Sequence, residues 1–373
     1  MKIINGNVYI DKGFERLELS FGKTIKSAAK VLPPDESFDA AGMYVVPGFI
    51  DTHIHGFGGV DTMDGADAVR TMSRELVKHG TTAFLPTTMT ASVADTRAAL
   101  KGIAEVMKEK PQGAAVLGAY MEGPCFAANK RGAQPIEHLQ LPAIELYDEI
   151  TDGLDEAVRR FAIAPELDGA LPLVRELVRR RVQVSIGHTD ATYEQAMAAV
   201  EQGASSVTHM YNAMTPLTHR NPGAVGAALS SKHIVCEFIA DLIHLHPAAI
   251  RTMFAAKGED LCCAVTDSMM AGGMPDGEYA LGGQKVYVRE NAARLADGTL
   301  AGSVLTLHRS LVNMVSVVGV PLAQALPMYT EVPANLIDDE DRGRIEVGCA
   351  ADIVLLDTFL NIKAVFVGGK RMV

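Results

Sequence analysis

Past the first fifty residues the chain alternates short apolar runs with longer amphipathic ones, and that alternation restricts its architecture more than any other feature. The apolar runs cover residues 81–85, 115–121, 161–164, 182–186, 206–210, 234–240 and 261–266. Amphipathic, helix-like runs cover 66–79, 171–181, 193–202, 247–257 and 304–318, with Gly80 and Gly203 stopping two of them. Strands that are apolar almost throughout are buried on both faces, which in a parallel sheet requires helices on both sides. With the apolar run at 43–50 there are about eight such strands, which favours a closed (β/α)8 TIM-type barrel over an open α/β sheet.

The two ends differ in character. Residues 1–46 read as β-rich, with a strand over Lys2–Ile10, a turn signal at Asn5-Gly6 and a turn at Pro33-Pro34-Asp35-Glu36. The C-terminal stretch has the same look: strands at 351–356 and 362–367, with Gly368-Gly369 turning the chain after them. Residues 1–46 and 345–373 are therefore expected to build one small sheet domain, with 47–344 as the barrel. Of 373 residues, 48% are hydrophobic and 21% charged, enough for a large core. The net charge of −11 argues against nucleic acid as a partner, while leaving room for an anionic small molecule in a local basic pocket. The five cysteines, including adjacent Cys262-Cys263, show no disulfide or zinc-knot spacing. The N-terminus has no signal-peptide core, and no apolar run reaches the roughly 18 residues of a membrane span. These features lead to the expectation of a cytoplasmic protein with no membrane partner.

The chemistry gathers where strands end. The run at 43–50 leads into Asp51, His53 and His55. Side chains two apart in an extended segment face the same way, so the two imidazoles project together and Asp51 shares their side. Further strands run into Glu122, His188, His209, Asp241 with His244, and Asp267. Any one of these residues alone reads as a capping or core group. A carboxylate and several imidazoles converging at the C-terminal mouth of one barrel would cost several kcal/mol unless paired or metallated, so together they predict a divalent metal site.

The strand-end pattern resembles the amidohydrolase superfamily and, within it, the N-acetylglucosamine-6-phosphate deacetylases. Pro47-Gly-Phe-Ile-Asp-Thr-His-Ile-His55 and Thr266-Asp267 carry the superfamily likeness; the closer resemblance is carried by Gly58-Gly-Val-Asp61, Glu122-Gly-Pro, Lys130-Arg-Gly-Ala-Gln134, Gly187-His-Thr-Asp-Ala-Thr192, Thr208-His-Met-Tyr-Asn-Ala-Met214, Arg220-Asn-Pro-Gly223 and Leu300-Ala-Gly-Ser303. It spans essentially the whole chain. It implies a barrel inserted in a small β-sandwich formed by both termini, with Glu122, His188 and His209 as ligands of a catalytic ion. His53 and His55 are the implied ligands of a second ion, with Glu122 bridging. Zinc, iron, manganese and cobalt all suit such donors. The implied reaction is hydrolysis of the acetamide of N-acetylglucosamine 6-phosphate, with Asp267 taking a proton from the attacking water and delivering it to the leaving amine. Ala133, Asn212, Ala213, His244 and Ser303 are implied substrate contacts. Arg220 is expected to reach the phosphate from the partner subunit of a homodimer.

Three positions depart from the family pattern: Leu242 in Asp241-Leu-Ile-His244, Asn221 after Arg220, and Cys125 after Glu122-Gly-Pro. They are expected to alter the substrate pocket. N-acetylgalactosamine 6-phosphate, another N-acyl compound, a cyclic amide or a base to be deaminated therefore stay open as substrates, as does an inactive scaffold.

Overall fold

The structure, a computed structural model, describes residues 1–110 and 112–373. Eight parallel strands succeed one another around a barrel: Phe49–Ile54, Thr81–Thr88, Ala119–Glu122, Val158–Ile163, Gln183–Ile186, Ser206–Val207, Val235–Phe238 and Cys262–Ala264. A bridge between Ile54 and Ser268, with the Asp267 N–H donating to the His53 carbonyl at 2.9 Å, joins the eighth strand to the first. All eight residues of Thr81–Thr88 are buried, as a parallel strand between helices and barrel interior must be.

Helices cover the outside. Ala170–Arg179 buries Leu173, Val174 and Leu177 at three- and four-residue spacing, while Glu176 pairs with Arg179 and Arg180 on the solvent side. Tyr193–Glu201 opens on a capping box in which Thr192 and Gln195 satisfy each other's backbone N–H. Four further features were not expected from the sequence. Helices Val93–Met107, Ile144–Thr151 and Gly223–Ser230 fill gaps in the alternation, and a three-stranded antiparallel sheet, Gly277–Leu281, Gln284–Arg289 and Ala292–Arg294, follows the eighth strand. This last sheet has a core of its own, including Leu281, Val286 and Val288, packed against Met89 and Met269.

The two chain ends form one eight-stranded sheet with a separate core built on Ile3, Leu19, Val45, Ile353 and Phe366. The apolar run at 43–50 is not a single strand. Tyr44–Pro47 pairs with Ile353–Leu356 in the end sheet, whereas Phe49–Ile54 opens the barrel. The switch falls at Gly48, where a Cβ would lie 2.0 Å from Thr82 Oγ1. The Asn5-Gly6 signal marks a bulge inside Lys2–Ile10, not a hairpin turn. Asn5 adopts φ +58°, and Gly6 lies so close to Val45 that no side chain fits.

Candidate metal centre

Two triads of ligand atoms meet at the C-terminal mouth of the barrel: His53, His55 and Glu122, and Glu122, His188 and His209. All five residues are buried. Glu122 Oε1 lies 3.4 Å from His53 Nε2 and 3.3 Å from Nε2 of both His188 and His209; Oε2 lies 3.2 Å from His55 Nε2. Asp267 Oδ1 approaches His53 Nε2 at 3.5 Å and His55 Nε2 at 3.3 Å. Within each triad the ligand atoms lie within 4.8 Å of one another.

Backbone conformation aims these groups. His188, His209 and Asp267, each just past a strand end, have φ of +47°, +31° and +48°. This left-handed turn swings each side chain away from the direction the strand would have given it. It is uncommon outside glycine, though histidine and aspartate adopt it more readily than most residues. Gly187, before His188, has no room for a Cβ, which would sit 2.7 Å from Thr208.

Hydrogen bonds on the far side of two of the rings set their tautomers, whereas His209 Nδ1 is buried without a partner. His55 Nδ1 lies 3.2 Å from the Thr87 carbonyl, and His188 Nδ1 lies 2.9 Å from that of Lys130. A carbonyl only accepts, so each Nδ1 carries a proton, and Nε2 is the atom that turns a lone pair to the centre once the ring is neutral. Those Nε2 atoms face carboxylate oxygens. His188 Nε2 and His209 Nε2 face each other at 3.1 Å, and His53 Nε2 and Glu122 Oε1 are buried without a hydrogen-bond partner. Imidazole nitrogens and carboxylate oxygens converging in a dry pocket suit a shared cation, and the donor set fits a divalent one.

The electrostatics agree. Burial alone would push the Glu122 carboxyl up; His53 and the hydrogen bonds from His188, His209 and His55 outweigh it and hold the group well below the usual range. Burial opposes a proton on His55, yet Asp267 and Glu122 raise it well above the ordinary histidine value. Burial raises Asp267, but His53 and His55 outweigh that and lower it, so it is ionised at neutral pH. Asp51 turns out not to join them. Its carboxylate accepts from Thr266 Oγ1 at 2.6 Å and, burial being the largest influence, is pushed up to about 7.

A cavity of about 300 Å³ opens over the centre, and Ala133, Asn212, Ala213 and His244 line it. His244 Nδ1 lies 2.6 Å from Asp241 Oδ2, while Asp241 Oδ1 accepts from the N–H groups of Ile243 and His244. Two residues expected at the substrate are not in its wall. The hydroxyl of Ser303 donates to the Thr266 carbonyl at 2.6 Å, beneath the Asp267 turn, and Arg220 is exposed outside the cavity of its own chain. Leu242, Cys125 and Asn221 do not line it either. Leu242 packs on the main core, Cys125 is buried in it and Asn221 is exposed.

The amidohydrolase family model matches residues 44–372. N-acetylglucosamine-6-phosphate deacetylase of Vibrio furnissii is 40% identical over 328 residues, 87% of this chain and 82% of the relative. The chain belongs to the N-acetylglucosamine-6-phosphate deacetylase family of amidohydrolases. N-acetylgalactosamine-6-phosphate deacetylase of Escherichia coli O157:H7 is 39% identical, over 87% of this chain and 86% of the relative. The crystal structure of N-acetylglucosamine-6-phosphate deacetylase from Pasteurella multocida superposes with a TM-score of 0.94 at 31% identity, covering 99% and 98% of the two chains.

Sequence reasoning missed three residues at the centre of this family member. Gln134 Nε2 donates to Glu122 Oε2 at 2.6 Å while its Oε1 accepts from the Thr90 N–H. Gln134 stood inside a motif, but nothing in its spacing assigned it a partner. Glu237 and Arg160 lie inside barrel strands, away from the strand ends where a barrel's functional groups are expected. Glu237 had a signal, a charged residue in an otherwise apolar run; Arg160, next to Arg159 just before the run at 161–164, had none.

Proposed function

We propose that the chain hydrolyses the acetamide of N-acetyl-D-glucosamine 6-phosphate to glucosamine 6-phosphate and acetate. The observation that carries this reading is a single buried carboxylate, Glu122, shared by two pairs of imidazoles with Asp267 against one of them. Glu122, His188 and His209 would hold one divalent ion, and His53 and His55 with Glu122 a second. Zinc, iron, manganese or cobalt suits these donors. When bound, such an ion supplies Lewis-acid activation of water and of the amide carbonyl.

The chain's own residues do the rest. Asp267, ionised at neutral pH, takes a proton from the attacking water. It then delivers that proton to the amide nitrogen, so that the C–N bond breaks to give a neutral amine in place of a poor amide anion. His244, steadied by Asp241, faces the acyl group or sugar hydroxyls, and Asn212 with the Ala213 backbone faces the phosphate. Arg220 completes the phosphate site from the partner subunit of a homodimer. Its exposure outside its own cavity supports that placement, and a guanidinium suits phosphate because its fork bonds two oxygens at once. Residues 1–46 with 345–373 form the small domain and 47–344 the catalytic one. A cytoplasmic location suits five free cysteines and the lack, among the described residues, of any helix long and apolar enough to cross a membrane.

Acetate release from N-acetylglucosamine 6-phosphate, with and without a chelator, tests the reading. Chelator-sensitive release is expected. Release from N-acetylgalactosamine 6-phosphate alone would move the substrate to the 4-epimer, a second reading that the similarity to the E. coli O157:H7 enzyme favours. Silence on both in a metal-loaded protein would overturn the deacetylase reading. Arg220→Ala is expected to raise KM for the phosphorylated sugar and to leave the unphosphorylated one unaffected.

A further inference from the structure

The barrel interior holds an ion pair that the reaction does not use. Arg160, on the fourth strand, and Glu237, on the seventh, are completely buried and bonded to each other. Arg160 also donates to the Thr52 carbonyl at 3.3 Å and to Ser206 Oγ at 3.0 Å, and its guanidinium lies 4.3 Å from the centre of the Tyr120 ring. Tyr120 in turn exchanges a hydrogen bond with Thr208 at 2.7 Å. The other oxygen of Glu237 faces the metal centre: Oε2 lies 3.2 Å from His53 Nδ1, with a longer contact of 3.4 Å from the His209 N–H.

A buried ion pair is a poor way to stabilise a core, since apolar residues of similar size often do as well. This pair has a chemical consequence instead. The Arg160 guanidinium can only donate, and it saturates one Glu237 oxygen. The other oxygen can only accept, so His53 must present Nδ1–H to it, which leaves a lone pair on Nε2, the atom 3.4 Å from Glu122. In His55 and His188 a backbone carbonyl does this work. His53 alone depends on a side chain, itself held by another side chain.

We infer that Glu237, oriented by Arg160, is a positioning residue that locks His53 in its metal-binding tautomer and so gives the His53–His55–Glu122 triad a divalent ion of its own. This rests on the metal centre of the proposed function.

The Glu237→Gln variant tests it without changing the size of the side chain. An amide between Arg160 and His53 turns its oxygen to the arginine, because NH2 against guanidinium sets donor against donor. Its NH2 then points at His53 Nδ1, which must accept, so the ring proton moves to Nε2 and the lone pair for the ion is lost. Metal-free protein is titrated with Zn²⁺, and bound metal is counted by mass spectrometry after dialysis; histidine tautomers are read from ¹⁵N spectra of the metal-free form. Wild type is expected to bind two ions per chain with His53 protonated at Nδ1. Glu237→Gln is expected to keep the ion of the Glu122–His188–His209 triad, to bind the other about 10- to 100-fold more weakly, and to show His53 protonated at Nε2. In the double variant Arg160→Met with Glu237→Gln, the amide oxygen is free to turn to His53. It is expected to recover the second ion and the Nδ1–H signal, which a merely structural role for the pair would not produce.

Two ions bound by Glu237→Gln at wild-type affinity would overturn the inference, as would an unchanged His53 tautomer. A wild type that binds one ion only would overturn it as well. A folded wild type that binds none would instead refute the metal centre itself.

Discussion

Replacing Asp267 by asparagine separates the proton-transfer role from the structural one. The backbone at Asp267 is left-handed, with φ +48°, and is held by its N–H donating to the His53 carbonyl and its carbonyl accepting from Ser303 at 2.7 Å. Asparagine is nearly isosteric and tolerates this conformation as well as aspartate does, so Asp267→Asn leaves turn and metal triads in place. What it removes is a base, since an amide nitrogen or oxygen does not take up the water proton at neutral pH. A positioned general acid–base group contributes about 100- to 10,000-fold. At about 1.4 kcal/mol per decade, the barrier therefore rises by about 3 to 5 kcal/mol. The assay is steady-state kcat on the 6-phosphate sugar, with bound metal and thermal midpoint measured on the same preparation. Asp267→Ala serves as the comparison. It loses the base as well, but a Cβ residue without a polar side chain at positive φ costs a further ~1–2 kcal/mol of stability, so it should melt below the asparagine variant. An asparagine variant that keeps more than about a tenth of the turnover at full metal loading would refute the acid–base role, being far outside that range. Loss of metal from it would show that Asp267 acts chiefly as a ligand.

Glu122→Gln removes the carboxylate both triads share, so metal content should fall at both sites together and turnover should drop at least about a thousandfold; loss of one ion alone would contradict a shared ligand. Metal loading should release protons. His55 is raised well above its ordinary value in the metal-free chain, so it is protonated at neutral pH and must lose that proton to bind. Calorimetry in buffers of differing ionisation enthalpy should show release that shrinks as the pH rises past the His55 value, and no release at neutral pH would contradict that shift. Gly48→Ala should lower stability by about 1–3 kcal/mol, read as a lower thermal midpoint, because its Cβ would overlap Thr82.

The residues of the two triads were legible because a barrel puts function where strands stop, and a histidine after an apolar run stands out even in one sequence. The run at 43–50 misled for a related reason. Apolar residues are equally suited to both sheets, and only the steric closeness of Gly48 and Thr82, not visible in hydropathy, marks the point where the chain passes from one to the other. Glu237 and Arg160 were invisible for another. Glu237 looks like an intrusion in its apolar run and Arg160 like the second of two ordinary arginines before one, and the partner that makes each affordable lies on a strand far away in sequence. The first strand of the sheet at 277–294 is mostly exposed, as in an ordinary surface hairpin, and nothing local says that Leu281 at its end reaches the cavity. Arg220 and Ser303 were placed by resemblance alone, and resemblance gives a residue a role without saying which atoms surround it.

The seam between the first and eighth strands carries a consequence for how the molecule comes into being. His53 and His55 lie on one side of it and Asp267 on the other, and the Asp51–Thr266 bond that stitches it runs directly beneath them. While a ribosome is still making the chain, the first pair of imidazoles emerges early and waits without its aspartate until nearly the whole barrel has followed. The small sheet is completed at the same stage, because Tyr44–Pro47, already beside Lys2–Ile10, gains its second neighbour only when Ile353–Leu356 arrives. Arrival of Asp267 at the histidines, closure of the barrel and docking of the tail thus belong to one late event in the life of the chain. A nascent chain stalled before the eighth strand would hold its histidines as loose chelators, free to take any passing metal, with no reaction to perform on it.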